Sequence, residues 1–192
     1  MKKRLGATIT AGMMVVGGAL SAHPSINFKD GNDAKGKYDI KTVAINETAN
    51  AYVVTVKTFE PWKKKSLAFK QTTGNRNAFF VYVTSEDEAV PIYQAQIFKS
   101  KKAQKGYNSP IVAYSEAFPD GEVVGTAKVT KPSRNTLVVS IPVSVASDIE
   151  NTVLFAATSQ YQQAKKKKKC FKKPCHDSAP NGEDSFFGHD LE

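Results

Sequence analysis

Four oxygen-bearing side chains fall close together early in the chain: Asp30, Asn32, Asp33 and Asp39. Carboxylate, amide and backbone oxygens in such a stretch suit a hard divalent cation, calcium before others. The spacing departs from an EF-hand loop, because Ala34 stands where a third ligand is needed and the terminal Glu is absent. A solvated turn is the plainer reading of the same residues. No cofactor is required by the sequence, and calcium is the one that these residues would accept. A second acidic group, Glu86, Asp87 and Glu88, reads as a polar hairpin tip.

The three histidines, His23, His176 and His189, all lie in terminal segments. A mature chain beginning at His23 would offer its amine and ring together, the donor pair of a copper brace such as that of lytic polysaccharide monooxygenases. That brace needs a second imidazole from the body of the domain, and the body here has none. A Ser-His-Asp triad would have to use His176, and no Gly-x-Ser-x-Gly elbow is present. Phosphate-cradling glycine loops are also missing. No catalytic residue is assigned.

Cys170 and Cys175 are separated by four residues. In an oxidising compartment such a pair forms a disulfide, and its short loop contributes on the order of 2 kcal/mol in the chain-entropy model. A redox role would want Cys-x-x-Cys in a βαβ setting, and both are absent. Trp62, Tyr82, Tyr93, Tyr107 and Tyr114 could stack against a sugar ring, since each joins apolar area to a polar handle. Trp62, Tyr82 and Tyr93 are the first choices, and Trp62, after Pro61 and before a lysine triplet, stands first among them. Packing inside a sheet is the competing use of all five. Lys165, Lys166, Lys167, Lys168, Lys169, Lys172 and Lys173 crowd one short segment and suit an anionic polymer. Without Arg forks or interleaved aromatics the attraction would be salt-sensitive and unspecific, not specific nucleic-acid recognition. A solvated linker explains the same run.

The overall charge of +9, from 27 Lys and Arg against 18 Asp and Glu in 192 residues, therefore needs to be located before it is interpreted. Three cations, Lys2, Lys3 and Arg4, open the chain and precede an uncharged stretch from Leu5 to Ala22. A basic start, an apolar centre and small residues at the end describe a secretory signal over residues 1–22, cleaved after Ser21 or Ala22. The stretch is too short and Gly-rich for a membrane span, so none is expected after cleavage. With the leader and the lysine run set aside, residues 23–164 carry a net charge of only about +4. The charge marks an address and a tail rather than a nucleic-acid surface.

The elements that must position these groups are strands. Tyr52, Val54 and Val56 alternate with Val53, Thr55 and Lys57, and Leu137, Val139 and Ile141 alternate with Val138, Ser140 and Pro142. Tyr93, Ala95 and Ile97 form a third alternating set, whereas Ala78 to Val83 is apolar on both faces and predicts a central strand. Pro142 predicts an edge position or a bulge, because it cannot donate a ladder hydrogen bond. Pro119-Asp120-Gly121 is the clearest turn. About eight strands at this spacing, with no amphipathic helix, predict an all-β antiparallel sandwich, immunoglobulin-like or jelly-roll-like. A barrel is the alternative closure.

The order of several short motifs resembles a group of secreted bacterial β-sandwich proteins. These motifs include Tyr38-Asp39-Ile40-Lys41-Thr42-Val43, Thr55-Val56-Lys57-Thr58-Phe59 with Trp62, and Val124-Gly125-Thr126-Ala127-Lys128-Val129. Val138-Val139-Ser140-Ile141-Pro142 and Cys175-His176-Asp177-Ser178-Ala179-Pro180 complete the set. The plan is also similar to DOMON and family 9 carbohydrate-binding-module sandwiches. The resemblance implies a fold with an extended ligand or haem lying on or inside it, and no particular activity.

The expected organisation is a signal over 1–22, a polar arm over 23–37, a sandwich over 38–164 and a lysine-rich, disulfide-containing tail over 165–192. The expected function is a secreted, non-enzymatic protein binding a cell-envelope or extracellular ligand, a glycan or a polyanion. Two alternatives come from other classes. One is a carbohydrate-active or copper-dependent enzyme using His23; the other is an assembly subunit pairing through its sheet edges.

Overall fold

The computed structural model describes residues 26–34, 38–63, 67, 69–70, 75–99, 106–150, 152–161, 175–181 and 186–190. Strands dominate these residues, and two antiparallel sheets pack on each other as a β-sandwich. The first sheet runs in the order β1 (Ile26–Lys29), β2 (Ile40–Thr48), β3 (Ala51–Thr58), β11 (Thr136–Pro142), β10 (Lys128–Ser133). Its inward rows follow from the period-two alternation. Val43 pairs with Val56, which pairs with Leu137; Ile45 pairs with Val54, which pairs with Val139. All six are buried.

The second sheet has β6 (Ala78–Ser85), β7 (Ile92–Ile97), β8 (Pro110–Tyr114) and β9 (Glu122–Thr126) in succession on one side of β12 (Thr152–Tyr161). On the other side of β12 lie β13 (Cys175–Ala179) and β14 (Phe187–Asp190). Phe155, Val83, Tyr93 and Ala113 make one inward row, and Ala157, Val81, Ala95 and Ile111 the next. β6 is central, flanked by β12 and β7, as its two apolar faces predict. A small ladder, β4 (Phe69–Lys70) with β5 (Asn75–Arg76), stands apart from both sheets.

Tyr38, Trp62 and Phe79 fill one end of the core with edge-to-face and tilted ring contacts. Burying one such large side chain contributes roughly 1.5–3 kcal/mol. The chain crosses between sheets at Ala127, where β9 gives way to β10. Two bonds to Ser109 hold the crossing: Ala127 N–H donates to the Ser109 carbonyl at 2.8 Å, and Ser109 Oγ donates to the Ala127 carbonyl at 2.6 Å.

Three expectations change. Pro142 is neither at an edge nor in a bulge, because β11 lies between β3 and β10. It is the last residue of β11, past Ser140, the last partner of β10 on that strand, so its missing N–H interrupts no bond on that side. The polar arm contributes β1, and the tail contributes β13 and β14, so the sandwich extends beyond residues 38–164 at both ends. The strand set is larger than eight, because the terminal strands β1, β13 and β14 and the two-residue strands β4 and β5 are too short to stand out in the sequence. Among the described residues no helix is long and apolar enough to cross a membrane.

Candidate functional site

A segment near the start of the described chain and one near its end meet at an edge of the first and second sheets, β1 on one and β13 on the other. β1 runs beside β2 through Lys29 and Thr42, and the pairing continues where Asp30 N–H donates to the Lys41 carbonyl at 2.8 Å. The backbone then bends, which places Asp33 near Asp30. β13 arrives from the other direction, opposite the end of β12, with Asp177 across from Ser159. Ser159 Oγ donates to the Tyr38 carbonyl at 2.7 Å, and the Asp177 carboxylate accepts the Ile40 N–H. Segments more than 130 residues apart in sequence are thus bonded to each other.

The result brings one oxygen each from Asp30, Asp33 and Asp177 within 4.8 Å of the other two. Asn181, just after β13, donates its side-chain N–H groups to Asp30 at 3.0 Å and to Asp33 at 2.9 Å. Asp177 is only 7% exposed, and burial pushes its carboxyl up to about 7. The Ile40 N–H opposes that shift, while the negative charges of Asp30, Asp39 and Asp33 reinforce it. Asp39 is 3% exposed and is pushed up to about 6, by burial first and then by Asp33, Asp30 and Glu60. Burial also raises Asp30, against the pull of the Gly31 N–H and Asn181.

Of the four expected cation ligands, Asp30 and Asp33 belong to this group. Asp39 lies beside it and Asn32 is exposed. Asp177 and Asn181 were not legible as members, because only the β12–β13 register brings them here.

A groove adjoins the cluster on the outer face of the second sheet. Its volume is about 950 Å³, and Asp33, Asp177 and Asn181 form part of its wall. The floor consists of the side chains that alternate with the core rows: Tyr82, Gln94, Ala156 and Thr158. Tyr114 and Phe186 stand at its sides, with Phe186 edge-on to Tyr82 at 6.5 Å between ring centroids. Tyr82 OH lies 3.3 Å from Thr158 Oγ1. Gln94 Oε1 accepts from Gln96 Nε2 at 2.7 Å and from Tyr114 OH at 3.3 Å. Apolar ring surface and hydrogen-bonding amides and hydroxyls therefore share one concave wall.

The expected aromatic trio does not meet there. Tyr82 faces the groove, but Trp62 is 4% exposed against Tyr38 and Phe79, with Lys131 Nζ 4.4 Å above its ring. Tyr93 is also buried, on the inward row with Val83, and donates its hydroxyl to Asp148. Both rings serve packing and present no face to a ligand, which corrects the expectation for them. Tyr114, which the sequence also offered, does line the groove, and Phe186 joins it there.

The Glu86, Asp87 and Glu88 group is exposed between β6 and β7, as expected of a hairpin tip. His23, Cys170 and the lysines at 165–169, 172 and 173 lie outside the described residues, whereas Cys175 opens β13. No family model, curated protein or solved structure matches this chain.

Proposed function

We propose that this protein is a secreted, non-enzymatic binding module that takes a saccharide in the groove of its second sheet. One observation carries the reading: a 950 Å³ groove in which Tyr82, Tyr114 and Phe186 stand beside Gln94, Thr158 and Asn181. A sugar ring has an apolar face of C–H groups and a rim of hydroxyls. The aromatic rings suit the face, and the amides, hydroxyls and carboxylates suit the rim. The leader over residues 1–22 supports an extracellular address, and that address supports a Cys170–Cys175 bridge. The lysine run adds a salt-sensitive attraction for anionic polymers at the cell envelope.

The test is binding of the mature protein to an array of oligosaccharides, followed by titration calorimetry on any hit. Tyr114→Ala is expected to weaken binding several-fold, up to about tenfold, since one aromatic stacking contact is worth about 0.5–1.5 kcal/mol. Absence of any saccharide hit, or affinity unchanged in both Tyr114→Ala and Tyr82→Ala, would refute the groove reading.

A second reading, assembly through sheet edges, is favoured by β9. This strand ends the second sheet and exposes Val123 (66%) and Val124, with Phe118 exposed in the turn before it. Edge strands of this kind pair with other chains. Light scattering over a range of concentrations tests it: association abolished by Val123→Lys supports assembly, and a monomer at every concentration excludes it.

A further inference from the structure

We infer that Asp30, Asp33 and Asp177, together with the Asn181 side chain, form a calcium site that fastens the bend after β1 to β13 beside the groove. This inference is independent of what the groove binds.

The first support is geometric. Calcium holds oxygen ligands at about 2.3–2.6 Å, so two ligands of one ion stand at most about 5 Å apart. Three carboxylate oxygens lie within 4.8 Å of one another, inside that limit. They also come from different backbone elements, so they approach from separate directions: Asp30 and Asp33 from the bend after β1, and Asp177 from within β13.

The second support is independent of the three. Asp39 is buried, and its Oδ1 has no hydrogen-bond partner. It shares the wall of a small void with Asp177, Ala34 and His176, and the charges of Asp33 and Asp30 act on it. Asp30 Oδ2 is likewise buried without a partner. Uncompensated anionic oxygens are rare inside proteins, because each loses its hydration with nothing in exchange. A divalent cation among Asp30, Asp33 and Asp177 supplies the missing positive charge to all four carboxylates together.

Asn181 completes the ligand set. Its amide nitrogen now lies between two carboxylates, bonded to both. Half a turn of the amide group exchanges that nitrogen for its carbonyl oxygen, which places a fourth, neutral oxygen ligand toward the same point. An all-oxygen set with three carboxylates, free of Cys and His, selects a hard ion. Calcium fits better than magnesium, because ligands drawn from a bend and a strand tolerate irregular geometry and magnesium demands a near-ideal octahedron.

The experiment uses the mature full chain, stripped with a chelator and titrated with calcium chloride in a calorimeter and a thermal melt. No saccharide is present, so a failed saccharide array leaves this result standing, and a failed calcium titration leaves the groove reading standing. One ion per chain is expected. The melting temperature should rise by about 5 °C or more when calcium exceeds its dissociation constant a hundredfold. Asp33 is exposed, so Asp33→Asn folds and is expected to weaken calcium at least tenfold. Asp87→Asn, in the distant hairpin tip, is expected to bind as the wild type does. Three results overturn the inference: no calcium binding at millimolar concentration, unchanged affinity in both Asp33→Asn and Asp30→Asn, or magnesium binding as tightly as calcium.

Discussion

β1 and the C-terminal strands are held together by rings as well as by polar contacts, and this can be measured. Phe28 of β1 stacks on Phe187 of β14, with centroids 3.9 Å apart and planes 12° from parallel. Phe187 also packs at 5.6 Å on the buried Phe155 of β12. Because β1 belongs to one sheet and β14 to the other, the stack closes the sandwich just beyond Asp30 and Asn181. Fully burying a Phe makes its loss to Ala worth about 3–5 kcal/mol. Phe187 is only half-buried, so Phe187→Ala is expected to cost about 2 kcal/mol, roughly half of it from the ring pair. With a urea slope of about 2 kcal/mol/M, the unfolding midpoint falls by about 1 M. The decisive assay is a double-mutant cycle with Phe28→Ala, read by urea denaturation in chelator. A coupling energy of about 1 kcal/mol is expected. Additivity of the two substitutions within about 0.3 kcal/mol would show that the rings do not act on each other, and the closure would need another explanation.

Other consequences are simpler to check. Asp177 and Asp39 hold their protons up to about pH 7 and about pH 6, against an ordinary 3.8. The folded state binds protons more tightly than the unfolded chain, so this contribution is fully present below about pH 4 and is lost as pH rises through about 7. In chelator the melting temperature should fall from pH 5 to pH 8, with a shallower slope in Asp177→Asn; a rise in the wild type would contradict the assigned burial. Gly121 has φ of 81°, and a Cβ there would stand 2.5 Å from Val112 Cγ1 and 2.7 Å from Tyr114 Cε1. Gly121→Ala should therefore cost about 2 kcal/mol or more and displace Tyr114, so an unchanged melt would refute the packing of that turn. Intact mass of the mature protein, with and without reductant, should differ by one disulfide; equal masses would remove the Cys170–Cys175 bridge.

The sheets were legible where burial imposes a period. Tyr52, Val54 and Val56, and Leu137, Val139 and Ile141, are inward as their alternation requires. Ala78 to Val83 reads as central because both faces meet other side chains. Asp30 and Asp33 stood out through their composition. Their partner Asp177 did not, since its place depends on the register of β13 against β12 and on an N–H 137 positions away. Trp62 misled for a related reason: beside Pro61 and a lysine triplet it looks exposed, yet Tyr38, just before β2, and Phe79, in β6, enclose it. Alternation states which face a residue takes and leaves open which distant segment covers it.

The pairing of β12 decides how closely β13 and β14 follow each other along it. Ala179 sits opposite Ala157 and Phe187 opposite Phe155, so a single residue, Ala156, separates their partners. Between Ala179 and Phe187 the chain advances only that one step along the ladder. Pro180, Asn181 and Phe186 therefore stand outside the β12 ladder while forming part of the groove wall, and Asn181 is held instead by Asp30 and Asp33. Substitutions at Pro180 or Phe186 would leave the β12 pairings of both flanking strands unbroken. The β12 ladder thus fixes where β13 stops and where β14 starts, one residue apart, whatever side chains the groove wall carries between them.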